Sequence, residues 1–271
     1  MSYLTAQPNP INPYAAMRLR SIPCAISQAS VALLMALPLM AYAAPEEIQV
    51  YLDEFAETGK FGLDLHTIYV ATTRNDKQLP YHQLRVTPEL SYGVNDHLEV
   101  AAYFLSNRSP GSNPQTDGVK LRMRWRPIVP SEQTTWYTAV NIELGQLSRR
   151  FNADGLNGEI KGILSWKSIR WRGGLNLNID RPLNRAAIGP STLELDGKLA
   201  YQVRDDLRFG IEHYAFLGPI HGSTATAAPT RSTFLVTDFS VAKWDIQFGI
   251  GQARGAVPDK LIVKAIIGVP I

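Results

Sequence analysis

Hydrophobic and polar residues alternate with a period of two along most of the chain beyond residue 60. The stretch GVKLRMRWRP, residues 118–127, shows it most sharply. Lys120, Arg122, Arg124 and Arg126 occupy one parity, and Val119, Leu121, Met123 and Trp125 the other. Side chains two apart in a strand share a face, so this segment is cationic on one side and apolar on the other. LRVTPELSYGV sets Leu84, Val86, Leu90 and Tyr92 against Arg85, Thr87, Glu89 and Ser91, and HLEVAAYF sets Leu98, Val100 and Phe104 against His97, Glu99 and Tyr103. The same reading carried to the C-terminus predicts strands at 61–71, 83–94, 97–105, 117–127, 135–146, 158–167, 169–180, 192–203, 206–217, 231–241, 243–251 and 260–271. Most come close to the roughly 9–11 residues that a tilted strand needs to cross a bilayer.

The connections are sorted by length. Those near 95–96, 128–134, 168, 204–205 and 242 are mostly short. Those at 72–82, 106–116, 147–157, 181–191, 218–230 and 252–259 are long and rich in Gly, Pro, Asn and Ser. Short turns at one end and long loops at the other are the pattern of an outer-membrane barrel. A soluble sheet with one solvated face accounts for the alternation but not for this sorting. Trp125, Trp136, Trp166, Trp171 and Trp244 all fall on the apolar parity, each within a few residues of a short turn. Aromatic rings favour the lipid–water boundary, so the five predict an aromatic girdle at one membrane interface. Backbone polar groups in lipid must pair internally, so the expected fold is all-β, a closed up-and-down transmembrane barrel of twelve antiparallel strands.

A mean hydropathy of −0.10 and 45% hydrophobic content are compatible with this, because alternation hides spanning strands from averaging. The formal net charge of +3 is small, two of the positive charges lie at Arg18 and Arg20, and no nucleic-acid partner is expected. From Met17 the chain shows two arginines, an apolar run from Val31 to Met40, and the small-x-small triplet Ala41-Tyr42-Ala43. This reads as a secretory signal over 17–43, within an N-terminal region 1–43, with the mature chain starting at Ala44. The single cysteine, Cys24, lies inside it, so no disulfide or thiol chemistry is expected afterwards. Residues 44–60 are acidic and precede the barrel, expected over 61–271. They read equally as a periplasmic extension, a further short strand, or a plug tucked into the lumen.

The order of signal, acidic lead and the hairpin LRVTPELSYGVNDHLEVAAYF resembles proteobacterial outer-membrane β-barrels, among them the family named after the MetA pathway of phenol degradation. The resemblance is specific over residues 61–127 and architectural beyond. It implies a transport role and brings no catalytic motif. Such barrels usually end in an aromatic residue read by the assembly machinery, whereas this chain ends Pro270-Ile271.

The inward parity carries the candidate lumen-lining residues Arg85, Glu89, Glu99, Lys120, Arg122, Arg124, Arg126, Arg170 and Arg172, with further lysines and carboxylates on later strands. They read either as a salt-bridged, closed interior or as the wall of a pore whose basic residues favour anionic or polar solutes. Twelve-stranded porins for acidic sugars resemble it in using arginine ladders. Reversing Arg122 and Arg124 to Glu is expected to be tolerated better than Met123→Arg. Lipase-like catalysis would need a serine and a histidine in fixed geometry, and the one comparable pair, His221 and Ser223, falls in a long loop. His66, His82 and His97 lack metal-ligand spacing. The expectation is therefore an outer-membrane barrel of a Gram-negative bacterium, passing small polar, anionic or aromatic solutes, with no catalytic residue, metal or cofactor. Expected partners are outer-membrane lipid, the barrel-assembly machinery and a small solute. The alternatives are an outer-membrane enzyme or an adhesin-like structural barrel acting through its loops.

Overall fold

The structure is a computed structural model and describes residues 47–72, 82–131, 133–148, 155–184, 190–221, 230–255, 259–269 and 271. Twelve antiparallel strands follow one another: β1 Phe61–Thr72, β2 His82–Asn95, β3 Leu98–Arg108, β4 Gln115–Trp125, β5 Trp136–Leu147, β6 Leu156–Lys167, β7 Trp171–Pro182, β8 Thr192–Arg204, β9 Leu207–Pro219, β10 Arg231–Val241, β11 Trp244–Arg254 and β12 Asp259–Val269. Each pairs with its neighbours in sequence, and β12 pairs with β1 to close the barrel. Closure leaves no unpaired sheet edge, which a bilayer requires. The expected strands are all present. At the loop end β3 and β11 run past their expected limits to Arg108 and Arg254, because pairing such as Asn107 with Gln115 and Arg254 with Arg231 continues after the apolar pattern stops. The proposed signal, the start at Ala44, and Gly222 and Ser223 lie outside the described residues.

Parity sorts the side chains as expected. Leu121, Met123, Val100, Ile142, Leu175 and Leu235 are exposed on the exterior, while Arg122, Arg124, Glu143, Asn176 and Lys264 are buried inside. An exterior of exposed leucine, isoleucine and phenylalanine around a polar interior is the surface of a bilayer-spanning barrel. All five tryptophans point outward at the turn end. Trp125 closes β4, Trp136 opens β5 opposite Trp166 of β6, and Trp171 and Trp244 open β7 and β11.

Of the acidic lead, residues 47–60 are described, and they enter the barrel. Working back from Phe61 at the turn end, residues 60 to 47 run into the barrel, and Ile48, Val50, Tyr51 and Leu52 are each at most 5% exposed. The sequence EIQVYLD itself alternates. Ile48, Val50 and Leu52 join an apolar cluster with Ile68 and Val70 of β1, Tyr214 of β9, Phe234 and Val236 of β10, Ala253 of β11 and Ile262 of β12. Glu47, Tyr51 and Asp53 meet the charged wall built by the other strands. An extended chain with period two thus fits a lumen that is apolar on one side and charged on the other. Two wall glycines give it room. A Cβ on Gly93 would lie 2.3 Å from the carbonyl oxygen of Glu57, and one on Gly174 would lie 2.5 Å from Leu52 Cδ2.

Candidate functional site: the barrel lumen

Three polar networks line the interior. The first centres on Arg122, whose guanidinium lies 2.6 Å from both Glu99 and Glu89, one and two strands away. His66 Nε2 is 2.9 Å from the other oxygen of Glu89. Arg122 also donates to the hydroxyls of Tyr51, at 2.8 Å, and Tyr103. Arg124 reaches Glu99 at 3.8 Å, donates to Asn141 at 3.0 Å, and donates to the carbonyl of Glu54 at 2.6 Å. The second network joins Lys120 to Glu143 at 2.6 Å and to Glu47 at 3.9 Å, with Lys161 bridged to Glu159 at 3.1 Å. The third surrounds Glu212, which meets Lys198 at 3.2 Å, accepts from Tyr214 at 2.7 Å, and is bridged by Lys264. Charges this deep are costly unless each is matched, and the networks supply the match.

The N-terminal segment completes all three. Asn176 clasps the Tyr51 backbone from both sides, accepting from its N–H at 2.7 Å and donating to its carbonyl at 2.9 Å. Lys264 donates to the carbonyl of Ile48 at 2.8 Å, and Glu99 accepts from the N–H of Ala56 at 2.6 Å. At the turn end Asp53 faces Arg172 at 3.3 Å and Lys167 at 3.7 Å. Burial by itself would raise the Glu47 carboxyl, but the ammonium groups of Lys120 and Lys161 outweigh it and hold the carboxyl below its usual range. Burial pushes the Tyr51 hydroxyl well up, so it stays protonated and donates to Glu47.

Most of the expected lining residues are brought together. Arg85, Glu89, Glu99, Lys120, Arg122 and Arg124 are buried in the lumen, and Arg172 faces it half-buried. Arg85 sits toward the loop end and donates to Gln83 through Nε and Nη2. Two placements need correction. Arg126 lies one residue past the end of β4, donating to the carbonyl of Asp96 and stacked 4.0 Å over Phe55, so it belongs to the turn-end mouth. Arg170 precedes β7, is exposed, and donates to Tyr201 at 3.2 Å beside Trp171 on the outer face. In both cases strand parity was extended into a turn, where it no longer decides direction. The reading missed Glu47, Tyr51, Asp53 and Glu54. The alternation in EIQVYLD was the available signal.

His213 points outward to Thr233, and among the described residues no group of three or more His, Cys, Asp or Glu is placed to hold a metal.

The sequence matches no protein-family model and no curated protein. Solved structures match the fold. The COG4313 outer membrane channel from Pseudomonas putida F1 aligns with a TM-score of 0.57 at 11% identity, covering 82% of this chain and 99% of that one. The NanC porin gives 0.52 at 12% identity over 77% and 100%, and the KdgM porin 0.50 at 11% over 78% and 99%. The twelve-stranded fold is shared with outer-membrane channels.

Proposed function

We propose that this protein is an outer-membrane channel for small polar and anionic solutes, held shut at mid-height by its own N-terminal segment. The observation that carries the reading is how the lumenal cations are matched. Lys264 and Arg124 donate to backbone carbonyls of the segment, while Lys120, Lys167 and Arg172 face its carboxylates. Oxygen atoms of the segment therefore stand where those of a carboxylate or sulfonate solute would bind. A twelve-stranded barrel is also wider than its own side chains fill, since filling by side chains suits about eight strands. Without the segment an open lumen would remain, charged on one side and apolar on the other.

The resemblance to the MetA-pathway family and the fold shared with channels both support transport. On this reading the signal is removed at Ala44, the barrel inserts with its long loops outside the cell, and the tryptophans lie at the periplasmic boundary. The competing reading is a sealed structural barrel. It rests on the depth of burial at mid-height, where Asn141, Asn176 and Glu212 are fully enclosed.

Planar-bilayer recording separates the two. The full-length protein should show little or no steady current, and deletion of residues 47–56 should give a stable, weakly anion-selective conductance. A deletion variant that is folded, as judged by heat-modifiable gel mobility, yet carries no current would overturn the channel reading.

A further inference from the structure

The outer face of the barrel changes character toward the loop end of β9, β10 and β11. Ile211, Leu235 and Ile250 stand side by side in the register and are exposed, as lipid-facing residues are. One step toward the loops, the same face carries His213, Thr233 and Gln252 in a row. One step further, Arg231 lies directly opposite Arg254. All five of these polar residues are exposed, on the parity opposite to the buried Glu212, Phe234 and Ala253. Their height is set by the girdle. Arg254 follows Trp244 by ten positions along β11. At about 2.6 Å per residue along the membrane normal this is about 26 Å, matching an apolar band about 25 Å tall. The arginine pair therefore stands at the membrane boundary opposite the tryptophans, with the polar row just beneath it.

Like charges directly opposed across a ladder are destabilising, so the pair calls for an anion. The lumen shows how this chain treats the same arrangement. Lys167 lies directly opposite Arg172, and Asp53 meets both, at 3.7 and 3.3 Å. Among the described residues no carboxylate meets Arg231 or Arg254. The other outward arginines at the loop end, Arg108 and Arg181, face Leu84 and Gly158. Doubled positive charge on the exterior strands is thus confined to this one place among the described residues.

We propose that this face binds one phosphorylated, acylated glycolipid of the outer leaflet, of the lipid A type, with a phosphate held between Arg231 and Arg254. A guanidinium fork matches two phosphate oxygens, and forks on neighbouring strands close on one phosphate from both sides. The row beneath selects the lipid. His213, Thr233 and Gln252 each carry donor and acceptor capacity, and His213 Nδ1 already lies 2.9 Å from Thr233 Oγ1. Just below its phosphates, a glycolipid with amide-linked hydroxyacyl chains presents donors and acceptors. A glycerophospholipid presents ester carbonyls there, which only accept. The acyl chains then lie over Ile211, Leu235 and Ile250. The inference takes from the channel reading only its orientation, with the long loops outside, and does not depend on conduction.

The test is native mass spectrometry of the delipidated full-length barrel in detergent, titrated with diphosphoryl lipid A, dioleoyl phosphatidylglycerol or inorganic phosphate. One lipid A per chain is expected at concentrations where neither comparison probe is retained. Arg231→Gln with Arg254→Gln should weaken lipid A binding by about tenfold or more, the loss expected for charge-assisted hydrogen bonds. Arg170→Gln removes an exposed arginine beside the turn-end girdle and should leave binding unchanged; heat-modifiable gel mobility verifies folding of each variant. Equal affinity in the double variant, an equal loss in Arg170→Gln, or phosphatidylglycerol bound as tightly as lipid A overturns the proposal. Retention of inorganic phosphate with no preference for the lipid means an adventitious ion only and overturns it as well. Binding in detergent is independent of insertion, so failure here and failure of the assumed orientation in cell-surface labelling are read separately. A barrel that binds lipid A yet carries no current in any form would remove the channel reading and leave this one standing.

Discussion

The exterior of β4 allows the membrane reading to be tested as a depth profile. Val119, Leu121, Met123 and Trp125 all point outward, and Leu121 is 60% exposed while Met123 is 42% exposed. Taking Trp125 as the turn-end boundary, each residue climbs about 3.4 Å along the strand, or about 2.6 Å along the membrane normal at a tilt near 40°. Met123 then lies about 5 Å above the boundary and Leu121 about 10 Å, against a half-height of about 12 Å for an apolar band about 25 Å tall. Arginine at the midplane costs about 2–4 kcal/mol and at the interface about 0–1 kcal/mol. Leu121→Arg should therefore cost about 2–4 kcal/mol and Met123→Arg about 1–2 kcal/mol. The measurement is reversible denaturant unfolding in phospholipid vesicles followed by tryptophan fluorescence. Equal costs at the two positions, or a larger one at Met123, would show that the exterior of β4 does not face a bilayer in this register.

Three further predictions concern the interior and the orientation. Arg122→Ala leaves Glu89 and Glu99 buried without their shared guanidinium and should cost about 3–5 kcal/mol in the same assay, as breaking a buried pair does; a loss below about 1 kcal/mol would mean the network is open to water. Gly93→Ala should lift the base of the N-terminal segment, since the added Cβ meets the Glu57 carbonyl at 2.3 Å; limited proteolysis should then cut near residues 54–60 while the barrel keeps its heat-modifiable mobility. With cysteines at Asn113 in the β3–β4 loop and at Arg204 at the opposite end, an impermeant thiol reagent on whole cells should label only the first, and labelling only of the second would invert the orientation.

Alternation made the strands and their faces legible because one parity meets lipid and the other does not. A one-residue slip would put Arg122 in the bilayer, so pattern and register constrain each other. Some partners were legible too. Glu99 faces Arg124 in the β3–β4 register, as adjacent inward residues on one hairpin would. The contact of Arg122 with Glu89 was not, because it reaches past β3 to β2 and depends on barrel curvature. This contact also reverses one expectation. Arg122→Glu would set a third carboxylate beside Glu89 and Glu99, so the double reversal at Arg122 and Arg124 should be tolerated less well than Met123→Arg. Residues 47–53 carry the same period-two signal as the strands. Periodicity reports two-sidedness and cannot distinguish an extended segment paired in a wall from one lying inside it.

The apolar cluster around Ile48, Val50 and Leu52 bears on how the barrel forms. Its members Ile68 and Val70 belong to the first strand and Ile262 to the last, the two that must meet to make the final seam. Joining the ends of a long chain is the slowest kind of contact to form, since it rewards no intermediate step. Here the residues just ahead of β1 offer a greasy surface to which β12 can adhere before any backbone pairing between the two exists. The segment inside the lumen is thus also positioned as a zipper pull, travelling with β1 and drawing the last strand to it. A chain that lacked it would have to find the same register through backbone hydrogen bonds alone.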